Sequence, residues 1–103
     1  MNPPSLTSEV VVRFPGGLHM RPADKLVRLA GGFGATIEIG RGGEMMDCKS
    51  ILSLLTLGAA EGDTLQLAVS GPDAAEALDL IVQWFENPNL EQDSAEDTAG
   101  VAE

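Results

Sequence analysis

The chain has one cysteine, one histidine, no tyrosine and only four aromatic rings in 103 residues. A lone Cys48 excludes an internal disulfide and suits a reducing compartment. One histidine and one cysteine also fall short of the four or so donors of a structural zinc site, so no metal is expected. With so few aromatics, the 44% of hydrophobic residues must build a single core from Leu, Ile, Val, Ala and Met. No apolar run approaches membrane-spanning length, and "MNPPSLTSEV" has neither a basic nor an apolar signal region. A cytoplasmic chain without membrane insertion is the expectation.

Positive charge is scarce too. Six Lys and Arg face 16 Asp and Glu, a formal net charge of −10 that argues against nucleic acid as a partner. The excess is concentrated at one end. From Glu86 onward there are six acids and no bases, whereas residues 1–85 hold ten acids and six bases. Composition thus divides the chain into a loose lead-in at 1–7, one domain at 8–87 and an acidic, disordered tail at 88–103.

Within the domain the hydrophobic pattern changes period repeatedly. "SEVVVRF" alternates as a strand, with Val10, Val12 and Phe14 on one face. After "PGG", residues Ala23, Leu26, Val27 and Ala30 fall on one face of a helix, with Arg21, Lys25 and Arg28 on a separate basic stripe. Pro22 fits only the first turn, which sets the helix start near His19 or Met20. "ATIEIG" and "EMMDCK" read as strands joined by the turn "RGG". Ser50 then caps a short helix over "ILSLLTLGA", with Ile51, Leu54 and Leu55 inward. "TLQLAV" is a fourth strand, with Leu65, Leu67 and Val69 on one face. "SGPD" opens a last helix with Pro72 near its first position, and Ala74, Leu78, Ile81, Val82 and Phe85 on its buried side. The order βαββαβα implies an α+β fold, a four-stranded, mostly antiparallel sheet with three helices on one face.

The only histidine stands at the start of the first helix, where unpaired N–H groups and the helix dipole favour an anion. An imidazole nitrogen is a competent nucleophile near neutral pH. A phosphoryl group on His19 would meet the backbone N–H groups of Met20 and Arg21 and the Arg21 guanidinium, while glycines before it permit close approach. The plainer reading is a polar helix cap, and spacing alone leaves both open. A thiol–imidazole pair with Cys48 is disfavoured, because Cys48 lies in an alternating strand pattern that buries it.

"GLHMRPAD" resembles the active-site segment of the HPr phosphocarrier proteins of the bacterial phosphoenolpyruvate-dependent sugar phosphotransferase system. "KSILSLLTLGA" is similar to that family's second conserved region and lies in register with the first. The resemblance spans about residues 8–86 and implies the family's open-faced β-sandwich. It further implies that His19 takes a phosphoryl group on Nδ1 from Enzyme I and passes it to sugar-specific EIIA-type acceptors, with no cofactor and as a monomer. Arg21 would stabilise the group, Gly17 and Pro22 would shape the turn and helix start, and Ser50 would match a serine phosphorylated by an HPr kinase/phosphorylase. Lys25, Arg28, Lys49, Leu52 and Leu55 would face partners.

Met20, Asp24 and Ser53 depart from the family's usual residues and bear on the choice of partner more than on the chemistry at His19. Two alternatives stand beside the sugar carrier: a regulatory phosphorelay protein, nitrogen-related or of an incomplete phosphotransferase system, and a non-phosphorylated regulatory binding module.

Overall fold

The computed structural model describes residues 5–87. Seven elements follow in the expected order: β1 (Leu6–Val11), α1 (Met20–Ala30), β2 (Thr36–Arg41), β3 (Glu44–Asp47), α2 (Ile51–Leu57), β4 (Thr64–Ser70) and α3 (Ala74–Glu86). The four strands form one sheet in the order β1-β4-β2-β3, and every neighbouring pair is antiparallel. Side chains alternate across a strand, so Ile37 and Ile39 of β2 and Leu65, Leu67 and Val69 of β4 all point to the helical face. All five are fully buried. Leu26 of α1, Leu54 of α2 and Ile81 of α3 close the core from the other side. Glu9, Thr36 and Gln66 stay exposed on the opposite, open face of the sheet.

Several boundaries differ from the sequence reading, each for a tertiary reason. β1 begins at Leu6, inside the segment expected to be a lead-in, because Leu6 and Thr7 pair with Val69 and Ala68 of β4. It ends at Val11, where the chain turns off the sheet: the Val12 N–H donates to Asp63 O at 2.9 Å and Val12 O accepts from Gly62 N at 2.8 Å. Val10, Val12 and Phe14 are nonetheless all buried, as their alternation requires. β3 stops at Asp47, and Cys48, one residue beyond, still donates its N–H to Ile37 O at 2.9 Å.

The start of α3 is the largest departure. Its first helical residue is Ala74, so Pro72 lies outside the helix rather than near its first position. Asp73 caps it in the left-handed region, at φ 53°, and is the only such non-glycine among the described residues. The Asp73 carboxylate accepts N–H bonds from both Gly34 and Ala35, each at 3.0 Å, and so fastens the α1–β2 loop to the helix. Those two bonds offset the backbone strain that a β-carbon meets there. The buried stripe of α3 is Ala74, Ala77, Ile81, Trp84 and Phe85. Ala77 and Trp84 take the deep positions that Leu78 and Val82 were expected to hold, and the latter two are half-buried.

Phe14 explains that rotation. Its ring lies 4.9 Å from Trp84 and 5.9 Å from Phe85, centroid to centroid, which draws the last turn of α3 against the chain leaving β1. The expected tail, 88–103, lies outside the described residues. No described helix is long and apolar enough to cross a membrane.

Candidate functional site

The loop from β1 to α1 is built around contacts that only glycine permits. Gly16 and Gly17 both have positive φ, 87° and 81°. A β-carbon on Gly17 would sit 2.5 Å from the Ala59 carbonyl oxygen, which is backbone and cannot swing aside. The close approach is needed because the next residue, Leu18, donates its N–H to that same oxygen at 3.0 Å. Behind it the Gly17 N–H donates to Phe14 O at 2.8 Å, and Leu18 is buried. The turn is therefore held at both ends before His19 is reached.

His19 is the N-cap residue of α1, extended at φ −86° and ψ −164°. Its backbone is committed: the N–H donates to Gly17 O and the carbonyl accepts from Ala23 N, both at 2.9 Å. The exposed imidazole makes no capping bond. A β-carbon on Gly16 would lie 3.3 Å from His19 Cδ2 and 3.7 Å from Nε2. The Cδ2–Nε2 edge of the ring therefore rests over the bare Gly16 backbone, and Nδ1 lies on the far edge. Gly16 is a contact that spacing alone did not single out, since nothing local marks which glycine the ring would cover.

The helix continues this arrangement. Met20 and Arg21 hold its first two positions, whose N–H groups have no acceptor within a helix. Pro22 follows at the third, buried and with no N–H to leave unpaired. No acidic residue stands in the first turn, so the partial positive charge of the helix end is not neutralised there. Asp24 does not intrude, because its carboxylate pairs with Arg28 Nε one turn further on, at 2.9 Å. That exposed pair contributes only a few tenths of a kcal/mol. Its larger effect is to leave Arg21 and Lys25 as cations of α1 with no ion-pair partner among the described residues.

Ser50 caps α2 as expected: its Oγ accepts from Ser53 N at 3.2 Å. The residues leading to it are tied down as well. Asp47 accepts the Lys49 N–H on Oδ1 at 2.9 Å and the Ser50 N–H on its carbonyl at 3.1 Å, while Lys49 Nζ donates to Phe33 O at 2.7 Å. Ser50 is not drawn into the His19 loop. That loop bonds to Ala59, just past the C-terminal end of α2, and Ser50 sits at the other end, about 10 Å of helix away. Leu52 (72% exposed) and Met20 (62%) are the two most exposed large apolar side chains among the described residues, and Leu55 is half-buried.

Cys48 lies fully buried at the edge of this region. Burial, and then the negative charges of Asp47 and Glu38, push its thiol from 9.0 up to about 12. A thiol held protonated is neither a nucleophile nor a ready metal ligand at neutral pH.

Comparison with known proteins agrees with this geometry. A family model described as the PTS HPr component phosphorylation site matches residues 6–87. The phosphocarrier protein HPr of Cupriavidus necator is 39% identical over 71 residues, which is 69% of this chain and 80% of that protein. The phosphoryl donor subunit DhaM of the PEP-dependent dihydroxyacetone kinase of Providencia stuartii is 39% identical over 79 residues, 77% of this chain but only 17% of that longer protein. Among solved structures, the phosphocarrier protein HPr of Bacillus anthracis superposes with a TM-score of 0.74 at 31% identity, covering 79% of this chain and 96% of that one. Fold, loop geometry and sequence agree: the chain belongs to the HPr phosphocarrier family of the phosphotransferase system.

Proposed function

We propose that the protein carries a phosphoryl group on His19, receiving it from Enzyme I and delivering it to an EIIA-type acceptor. The lone pair of Nδ1 attacks phosphorus and a P–N bond forms there, while the bond from phosphorus to the donor group of Enzyme I breaks, its electron pair leaving with the donor. The reverse exchange hands the group onward. The observation that carries this reading is the uncommitted imidazole at a helix start whose Met20 and Arg21 N–H groups have no partner among the described residues. These donors and the Arg21 guanidinium suit the charge of a phosphoryl group. The chain does little chemistry alone, since positioning and charge stabilisation come partly from each partner.

Lys25 and Arg28, with the exposed Met20 and Leu52 and the edge of Leu55, form the partner-facing surface in this reading. Lys49 contributes its charge from a fixed position. Phosphorylation of Ser50 is a brake within the same scheme, because an added phosphate at a helix N-terminus is electrostatically tolerated.

The test is incubation with Enzyme I and labelled phosphoenolpyruvate. Acid-labile, alkali-stable label on the wild type and none on His19→Ala is the expected result. Unlabelled wild type, or an equally labelled His19→Ala, overturns the carrier and leaves the non-phosphorylated binding module. The DhaM relative favours one variant of the reading, in which the acceptor serves a dihydroxyacetone kinase rather than a sugar transporter. Offering the labelled protein to both acceptor classes separates the two.

A further inference from the structure

The connection from α2 to β4, residues 58–63, meets the His19 loop at one peptide group. The Ala59 carbonyl accepts the Leu18 N–H at 3.0 Å, immediately before His19. The nitrogen of that same peptide, Ala60 N, donates to Asp63 Oδ2 at 2.8 Å. One planar amide is therefore gripped on both sides, by the His19 loop at its oxygen and by a carboxylate at its nitrogen. Gly17 fits against the same group. A β-carbon there would lie 2.5 Å from Ala59 O and 3.0 Å from Ala60 Cα, so a small rotation of this peptide is felt directly by the loop.

Asp63 is itself anchored. Its N–H donates to Ala60 O at 3.0 Å, closing a turn around Gly62 at φ 93°. Its carbonyl accepts the Val12 N–H at 2.9 Å, which ties the turn to the chain leaving β1. Arg41 Nη1 reaches the same carboxylate oxygen at 3.4 Å, and Arg41 Nη2 donates to Leu57 O at 3.3 Å. That ion pair is partly exposed and contributes little energy by itself; it steadies the direction of the carboxylate. The bond to Ala60 N has two effects on the far side of the peptide. Because the amide is planar, fixing its N–H also fixes the direction of its carbonyl. An anionic acceptor further polarises the group, which makes Ala59 O a better acceptor for Leu18.

We propose that Asp63 is a positioning residue for His19, holding the Ala59–Ala60 peptide in the orientation that fixes the His19 loop. The hold on the loop stands on this geometry alone. Its effect on phosphoryl transfer rests on the function proposed above.

The test compares full-length Asp63→Ala and Asp63→Asn with the wild type. Asparagine is chosen because its side-chain oxygen can still accept the Ala60 N–H. In Asp63→Ala the Leu18 amide should exchange its hydrogen about ten-fold faster relative to Ile39 and Leu67 of the sheet. Asp63→Asn should recover most of that protection. An unchanged Leu18 overturns the proposal. So does equal acceleration of all three amides, which would mark a carboxylate that serves overall stability only. An Asp63→Asn variant that exchanges like Asp63→Ala assigns the effect to the ion pair with Arg41 and equally overturns it. In labelled transfer from phosphorylated Enzyme I, Asp63→Ala should lower kcat several-fold at unchanged KM, and Asp63→Asn should restore it. A raised KM at unchanged kcat would place Asp63 in a docking surface and overturn the positioning role. A wild type that takes no label sinks the carrier reading alone, and the exchange result still decides the role of Asp63.

Discussion

Helices α1 and α2 begin with the same backbone device and put it to opposite uses. Each is preceded by an extended residue, His19 at φ −86° or Ser50 at φ −121°. At α2 the serine Oγ turns inward and takes the Ser53 N–H, so the helix end is closed upon itself. At α1 the imidazole makes no such bond, and the next two N–H groups have no partner among the described residues. The approaches differ in the same sense. Ser50 is reached through a segment anchored by Asp47, Lys49 and Cys48, whereas His19 is reached through two glycines at positive φ. One end is closed by its own cap side chain and the other is not.

The strongest way to break this contrast is to damage the approach to His19. Gly17→Ala forces a β-carbon to within 2.5 Å of Ala59 O at φ 81°. A loss of about 2–4 kcal/mol is expected, combining backbone strain with overpacking. Urea denaturation measures it, and a loss below half a kcal/mol would show that the turn adapts freely. Arg21→Ala comes next. It removes a charged donor that no described group engages, so folding stability should hold while the rate of phosphoryl transfer falls about 10–100-fold. Rapid-quench transfer from phosphorylated Enzyme I reads the effect.

A direct comparison of the two caps follows. Ser50→Ala should cost about 1 kcal/mol by losing the bond to Ser53 N. His19→Ala should stay within about 0.5 kcal/mol, because that side chain makes no such bond. Equal losses in thermal unfolding would erase the distinction drawn here.

The last effect concerns the closed side and shows only at high pH. Across about pH 9 to 12 the folded protein keeps the Cys48 proton that the unfolded chain gives up. The folded state then binds more protons, so this contribution to stability is intact below pH 9 and is lost as pH rises toward 12. Cys48→Ala should show a shallower decline of stability above pH 9 than the wild type. Equal slopes would mean that the thiol is not shielded.

What could be read from the sequence was what local pattern encodes. Leu65, Leu67 and Val69 declare a strand by alternation, Pro22 marks a first turn, and Ser50 before an apolar run marks a cap; each stands where expected. What escaped notice depends on partners far along the chain. Leu6 and Thr7 join β1 only because β4 lies beside them. Asp73 leaves ordinary backbone space only because Gly34 and Ala35 offer it two N–H groups. Trp84 turns inward only because Phe14 is there to meet it. At the site, the residue types at His19 and Arg21 were legible, while the support of the ring by Gly16 and of the turn by Ala59 was not, since both are encounters of backbone with atoms several residues or a whole helix away.

The long-range ties of the His19 loop also bear on how the protein is made. The loop hangs from β1, which pairs only with β4; Leu18 waits for Ala59, and Phe14 waits for Trp84 and Phe85. A ribosome that has released the first half of the chain has released the histidine but none of these supports. The cradle assembles only when α3 emerges, so an unfinished polypeptide has His19 without the contacts that hold its loop.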